Sequence, residues 1–332
     1  MCPSRAHPDF YPKMSFPTDY TKVLHEAGFF LQSDAGYLDV QGPDRLEFLQ
    51  RQTTNDLQML NDDLVVKTVL TSPIARIIDV LYIIFKKDSL GIITLPGRAQ
   101  TTFQFLSSRI FFNDQVSLTD KSSQRAQILV EGQKAAQVFE KIGLTLPNEK
   151  YEIVSDQIND EIIKIIPQDG LLENGFRIIT KNAHEKMLLD ALLENGATPI
   201  SEDTLHILRV ESGLPGPVGE LTQDYTPLEI NLENLISPDK GCYTGQEVIA
   251  RQITYDKVAR RMVGLSLKNF VLPGNDVHTE GKNIGKVTSS ALSPRYGPIA
   301  LAIIKRPYNK SGVIVKVGND EIPGVVTNLP FN

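Results

Sequence analysis

Apolar and polar positions along the first third of the chain alternate in short runs. Residues 37–40 predict a brief strand. Gly42-Pro43-Asp44 then opens a helix over 45–51, with Pro43 near the first turn, where its missing amide costs little. A polar segment, 52–56, leads to two strands rich in Val and Ile, 64–70 and 74–86. Lys87-Asp88-Ser89 turns the chain into 90–95 as a hairpin. The spacing of Phe105, Leu106, Ile110 and Phe111 predicts a helix over 98–111. Strand, helix, strands, helix is an α+β pattern with antiparallel pairing.

A polar connection at 120–124 separates this from a second series. Strand 126–130 precedes helix 133–142, then strands 151–154, 162–166 and 176–180, then helix 183–194, stopped by Asn195-Gly196. Ser201 caps a further helix that runs to Glu211-Ser212 and stops at Gly213, with Pro215 beyond. Residues 214–220 are rich in Gly and Pro and read as an extended loop. After Arg261 the texture changes to short strands at 262–267, 283–289, 299–304, 313–317 and 325–327, a small all-β domain of barrel type. Gly281-Lys282-Asn283-Ile284-Gly285-Lys286-Val287 is not a phosphate loop: it is one residue short between the glycines, and Val follows the lysine. The first twenty residues carry Pro3, Pro8, Pro12 and Pro17 and no apolar run, so 1–20 reads as an irregular arm rather than a signal peptide.

With 332 residues the chain has room for two or three domains, and 41% hydrophobic content supports an ordinary core. The net charge of −6 argues against a protein built to coat nucleic acid. The one basic cluster, Lys257, Arg260 and Arg261, reads as a solvated face, so direct RNA binding is not expected. Cys2 and Cys242 lie too far apart for a disulfide framework and form no C-x-x-C, which points to a reducing, cytoplasmic location. The five histidines are scattered, and no metal site is expected. A single thiolate does not build an iron–sulfur cluster, which takes about four. No run approaches the ~18 apolar residues of a membrane span.

The chemistry is concentrated in Lys240-Gly241-Cys242-Tyr243-Thr244-Gly245-Gln246-Glu247, followed by Val248-Ile249-Ala250-Arg251. Gly241 and Gly245 admit backbone angles closed to other residues and let a ligand approach the main chain. Thr244 and Glu247 have the spacing of a capping box ahead of an apolar run. Cys242 then lies near the positive end of a helix and beside Lys240, and both favour thiolate. The plain alternative is a capped helix after a tight turn, with a small buried cysteine.

This octet resembles the K-G-C-[FY]-x-G-Q-E signature of the YgfZ family, folate-binding relatives of the glycine-cleavage T-protein (aminomethyltransferase) implicated in iron–sulfur cluster maintenance and tRNA modification. Three further blocks resemble the family in the right order. Residues 40–50 with Thr54-Asn55-Asp56 match V-x-G-x-D-x-x-x-F-L-Q…T-N-D. Residues 208–215 match R-x-E-x-G-x-P and are followed by Pro227-Leu228-Glu229. Gly285-Lys286-Val287-Thr288-Ser289 and Ser293-Pro294 match the C-terminal domain. The resemblance implies an α+β cloverleaf of three lobes around a central folate channel. Its lobes would be 21–118 with 201–256, 119–200, and a β-barrel over 257–332.

It also implies tetrahydrofolate or a C1-substituted reduced folate as ligand, and iron–sulfur enzymes or assembly proteins as partners. Cys242 would be the working thiol, with Lys240 beside it. A pterin presents an amino group and a ring N–H side by side, and a carboxylate accepts both. The resemblance gives that role to Glu211, whose alternative is a solvated helix-end carboxylate. Arg209 and Arg251 would meet the glutamyl carboxylates or form ordinary ion pairs. Tyr243 would stack on a flat ring or pack in the core, and Gln246 completes the set. One departure bears on activity. The aminomethyltransferase has an Asp early in the helix after the N-terminal hairpin, whereas residues 95–102 here contain no carboxylate. The expected function is therefore a folate-binding accessory protein. A folate-dependent aminomethyltransferase or other C1 transferase, with Asp79, Asp88 or another acid replacing the missing one, is the alternative.

Overall fold

The computed structural model describes residues 16–61, 64–168, 171–172 and 175–331. The first stretch runs α1 (Thr18–His25), β1 (Ala27–Leu31), β2 (Ala35–Gln41), α2 (Arg45–Gln52), β3 (Val65–Thr71), β4 (Ile77–Lys86), β5 (Ser89–Pro96) and α3 (Ala99–Ser107). Next come β6 (Ser117–Asp120), β7 (Arg125–Glu131), α4 (Ala135–Ile142), β8 (Val154–Ile158), β9 (Glu161–Gln168), β10 (Gly175–Lys181), α5 (Glu185–Glu194), β11 (Ala197–Pro199) and α6 (Glu202–Glu211). After α7 (Gln246–Thr254) the chain is all strand: β12 (Arg260–Leu267), β13 (Asp276–Thr279), β14 (Lys282–Ser293), β15 (Gly297–Lys305), β16 (Ile314–Val317) and β17 (Ile322–Thr327).

These strands form a five-stranded sheet in the order β3-β4-β5-β2-β6, a six-stranded sheet β11-β1-β7-β10-β9-β8, and a closed barrel β12-β15-β14-β13-β16-β17. The fold is α+β, two sheet-rich lobes and a C-terminal barrel, as the pattern of the sequence predicts. Pairing is antiparallel throughout except for the short parallel contact of β1 with β11.

Each sheet packs helices on one face and turns the other inward. In β4, Leu81 and Ile83 join Leu38, Phe48 and Leu49 in the core under α2, while Val80 and Tyr82 point the opposite way, to the centre of the molecule. In β7, Ile128 and Val130 pack with Phe139 of α4 and Leu188 of α5, while Leu129 and Glu131 face the centre. This is the period-two alternation of a strand with two different environments. The two lobes also repeat one device, a strand running through a left-handed glycine into a helix. Gly42 has φ +105° and Gly132 φ +116°, and a Cβ at either would meet a backbone oxygen, Gln115 O at 2.0 Å or Glu26 O at 2.4 Å. Only glycine fits both constraints.

Three expectations change. Most of the irregular arm, 1–15, lies outside the described residues, but α1 already begins at Thr18, with Tyr20 buried. Strand β1 falls within 21–118, yet it pairs with β7 and β11 in the other lobe's sheet. The strand expected at 151–154 begins at Val154 instead.

Candidate functional site

The two sheets, α6, the loop 213–219 and one side of the barrel enclose a central cavity of about 980 Å³. That is the upper part of the range of small-molecule sites. Its walls mix flat and branched apolar groups, such as Phe30, Val80, Tyr82, Leu129 and Met262, with a few charged ones. The acids are Asp34, Glu131 and Glu202, and the bases Lys67, Arg177 and Arg209, with His206 beside the last. A narrower recess past Lys67, Tyr82 and Gln168 reaches Lys150 and Tyr151.

At one end Glu131 is fully buried, and neither carboxylate oxygen has a hydrogen-bond partner among the described residues. Burial pushes its carboxyl up to about 8. The amides of Leu171 and Leu172, close by but short of hydrogen-bond geometry, and the charge of Arg177 hold that rise back. Arg177, on the neighbouring strand, is 5% exposed. Its Nη1 donates to Gln127 Oε1 at 2.6 Å and its Nε to Gln168 Oε1 at 3.1 Å, and its guanidinium lies 5.4 Å from the Tyr82 ring. Burial lowers its pKa.

Arg209 lines the opposite wall. Its Nη1 donates to the Leu214 carbonyl at 2.8 Å, and its Nη2 to the Ser289 hydroxyl at 2.9 Å. Nη2 also meets His206 Nδ1 at 3.3 Å, while His206 Nε2 lies 2.9 Å from the Ser290 carbonyl. A carbonyl only accepts, so Nε2 carries the proton and Nδ1 accepts from Arg209. With Glu220 at 3.4 Å, the guanidinium braces α6 against the loop and the barrel.

Of the residues selected from sequence, only Arg209 lines this cavity; Glu211 faces away. Glu211 Oε1 accepts from the Tyr20 hydroxyl at 2.7 Å and the Ser293 hydroxyl at 2.5 Å, and Oε2 accepts from the Arg295 guanidinium. The result is a buried network tying α1 and α6 to the barrel. Burial and the Glu211 carboxylate both push the Tyr20 phenol well above its usual range.

The octet is a clasp outside the cavity. Lys240 Nζ donates to the carbonyls of Gln50, Thr53 and Asn55 at 2.9, 2.7 and 2.6 Å. Gln50 belongs to the last turn of α2, where carbonyls lack intrahelical partners and a cation is favoured. Burial brings the Lys240 amine down to about 8, with the charge of Asp56 opposing. Its ammonium is therefore held by carbonyls at the end of α2 and in the segment just after it. The capping box does not form: the helix begins after Gly245, with no side-chain cap. The Thr244 amide donates to Arg51 O at 2.9 Å, and its carbonyl accepts from the Thr71 hydroxyl at 2.6 Å. Gly245 has φ +88°, and a Cβ there would press on Ser72 O and Thr71 Oγ1 at 2.8 Å. Tyr243 packs with Ala75, Leu228, Ile249 and Val258. Gln246 is half-buried in the first turn of α7, and exposed Arg251 pairs with Glu247 at 2.8 Å. Cys242 is free and exposed, not a buried thiol.

Lys257, Arg260 and Arg261 do not make an open basic face. Arg260 pairs with Glu229 at 2.8 Å, Arg261 pairs with Glu233, and Lys257 lies over the Tyr255 ring. Among the described residues no helix is long and apolar enough to cross a membrane, and no group of His, Cys, Asp or Glu is placed to hold a metal ion. Glu131 and Arg177 were not selected from sequence. Their signal was the strand 125–131, where Gln127 and Glu131 interrupt the inward face of an otherwise buried run.

Two helix-backed sheets and a C-terminal barrel closed around one ligand-sized cavity define the T-protein class of folds. The chain belongs to the glycine cleavage T-protein family: residues 6–240 match the GCVT N-terminal domain, and residues 260–332 match the glycine cleavage T-protein C-terminal barrel domain. It is 32% identical over 302 residues to a chloroplastic protein of Arabidopsis thaliana whose name assigns it provisionally to the transferases, covering 90% of this chain and 70% of that one. The aminomethyltransferase of Chlorobium phaeovibrioides is 30% identical over 344 residues, covering 95% of this chain and 92% of that one. The glycine cleavage system aminomethyltransferase T of Bartonella henselae shares the fold, with a TM-score of 0.84 at 23% identity over 95% of this chain and 88% of that one.

Proposed function

We propose that this protein binds tetrahydrofolate or a C1-substituted reduced folate in the central cavity and acts as a YgfZ-type accessory protein. Its clients would be iron–sulfur enzymes or assembly proteins in a reducing, cytoplasmic setting, including those of iron–sulfur-dependent tRNA modification. The observation that carries the folate reading is the cavity: about 980 Å³, with apolar walls and a few buried polar groups, in a T-protein family member. Cys242 opens to solvent and is not among the cavity-lining residues, so its thiol is presented to a partner rather than to the folate.

Two features favour this reading over aminomethyl transfer. The first turn of α3 has no acid. Asp79 faces away from the cavity and is consumed by the Thr102 hydroxyl at 2.5 Å and the Val80 and Leu95 amides at 2.8 and 3.2 Å, while Asp88 sits in an exposed turn. A C1 transferase remains the second reading because of Asp34. This cavity acid adjoins the start of α3, its carbonyl accepting the Gly97 amide at 2.9 Å.

The deciding experiment has two arms. Titration calorimetry with reduced folates should show one site per chain, and absence of binding removes the folate reading. In the second arm the protein is incubated with an aminomethyl-lipoyl donor and tetrahydrofolate. No methylenetetrahydrofolate above background is expected, and robust turnover abolished by Asp34→Asn would establish the transferase instead. For the thiol, Cys242→Ser should fold and bind folate, yet fail to restore iron–sulfur enzyme activity in cells lacking the protein. Full rescue would remove Cys242 from the function.

A further inference from the structure

We infer that Gln32 accepts a hydrogen bond from a ligand N–H that C1 substitution would remove, so that the cavity takes tetrahydrofolate in preference to its N-substituted forms. Gln32 follows β1 and lines the cavity, and its Oε1 is buried with no hydrogen-bond partner among the described residues. Its main chain is fully used: the amide donates to Gln127 O at 2.8 Å, and the carbonyl accepts the Ala35 amide at 3.2 Å. Buried polar atoms are normally paired, and an unmade bond is costly. A donor on the ligand removes that cost.

The turn that carries Gln32 is fixed. At the start of β2, a Cβ on Gly36 would stand 2.5 Å from both Ala99 Cβ, in the first residue of α3, and Thr94 Oγ1. The Gly97 amide donates to Asp34 O at 2.9 Å, and Gln127 Nε2 donates to the carbonyls of Ala35 and Gly36 at 3.2 and 3.1 Å. Gln32 also lies at an intermediate depth. Val80 and Leu129 on the walls are buried, whereas Ser33 and Asp34 on the same turn are exposed at the mouth. The glutamyl tail of a folate is anionic and costly to desolvate, so it stays toward the mouth and the ring goes inward. The link from N5 to N10, between ring and tail, then lies at the depth of Gln32. An amide oxygen accepts from an N–H and takes no proton from it. A formyl group on that nitrogen removes the donor and leaves the buried oxygen unpaired. The inference deepens the folate reading, rests on it, and narrows the ligand to the unsubstituted form.

The test is calorimetry of the full chain with tetrahydrofolate, 5-formyltetrahydrofolate and 10-formyltetrahydrofolate. Wild-type protein should bind at least one formyl form roughly tenfold or more weakly than tetrahydrofolate, the scale of one buried acceptor left unpaired. Gln32→Leu, which removes the acceptor, should abolish that preference. Gln32→Glu, which keeps an acceptor and loses the amide donor, should retain it. Urea unfolding of both variants checks that they fold, and the ratio of affinities is a readout that a merely structural role would not move. Equal binding of all three folates by wild type overturns the inference and leaves the folate reading standing. So does a preference that survives in Gln32→Leu, or one that Gln32→Glu loses as fully as Gln32→Leu. If no folate binds, the inference and the folate reading both fall.

Discussion

Glu131→Gln should make the empty protein more stable, by an amount set by pH. The carboxyl titrates at 4.5 in an unperturbed setting and at about 8 in the fold, because burial disfavours the anion more than the nearby Leu171 and Leu172 amides and the Arg177 charge favour it. Its folded value lies above its unfolded one. Between pH 4.5 and 8 the native state thus holds a proton that the unfolded chain has released, and stability falls as pH rises through that window. Each pH unit is worth ~1.4 kcal/mol, so the wild type gives up about 3 kcal/mol by pH 7 relative to pH 4.5. Glutamine has the same shape and no titration. The variant should match the wild type near pH 4.5 and exceed it by about 3 kcal/mol at pH 7, with little further change above pH 8. Urea unfolding of both proteins without ligand, from pH 4.5 to 8.5, measures this directly. Other groups, Asp79 among them, titrate in both proteins and cancel in the difference. A difference that stays flat with pH, or a variant less stable than wild type at pH 8, would refute a carboxylate held above its usual range by burial.

The clasp and the interlobe network give three further outcomes. Lys240→Met keeps most of the volume but strands three carbonyls, and should cost about 3 kcal/mol or more in urea unfolding. A loss below ~1 kcal/mol would show that water replaces the ammonium. Glu211→Gln should lower stability by about 2 kcal/mol, because Arg295, Tyr20 and Ser293 lose a charged acceptor, while tetrahydrofolate affinity stays as in wild type; a selective loss of affinity in calorimetry would return Glu211 to the ligand. Alkylation of Cys242, followed by mass spectrometry in Cys2→Ser protein, should run at the same rate with and without saturating folate, and protection by folate would place the thiol at the cavity after all.

Local order was legible because its causes are local. Ser201 has the type and position of a helix cap, and its hydroxyl accepts the Thr204 amide at 3.2 Å. Gly213 at the end of that helix has φ +66°, the angle of a helix stop. The Val- and Ile-rich runs became the central strands, and the Gly- and Pro-punctuated C-terminus closed into a barrel. The strands that escaped notice, β1, β6, β11 and β13, are three to five residues long, too short to display a period. Within the octet, Gly245 adopts the left-handed angle that a glycine at that turn suggests.

Where each charge finds its partners could not be read this way. Lys240 is held by carbonyls 185 to 190 residues away, and Glu211 by Tyr20 at 191 residues and by Ser293 and Arg295 at 82 and 84. The period-two pattern fixes which face of β7 carries Glu131, but says nothing of what stands across from it. Only the closing of the two sheets and the barrel buries that carboxylate at a cavity wall with no side-chain donor while supplying Glu211 with three donors. A carboxylate or an ammonium does not encode its own environment. Its chemistry is decided by the donors and acceptors that other lobes bring to it, and these are assembled only when the chain has folded.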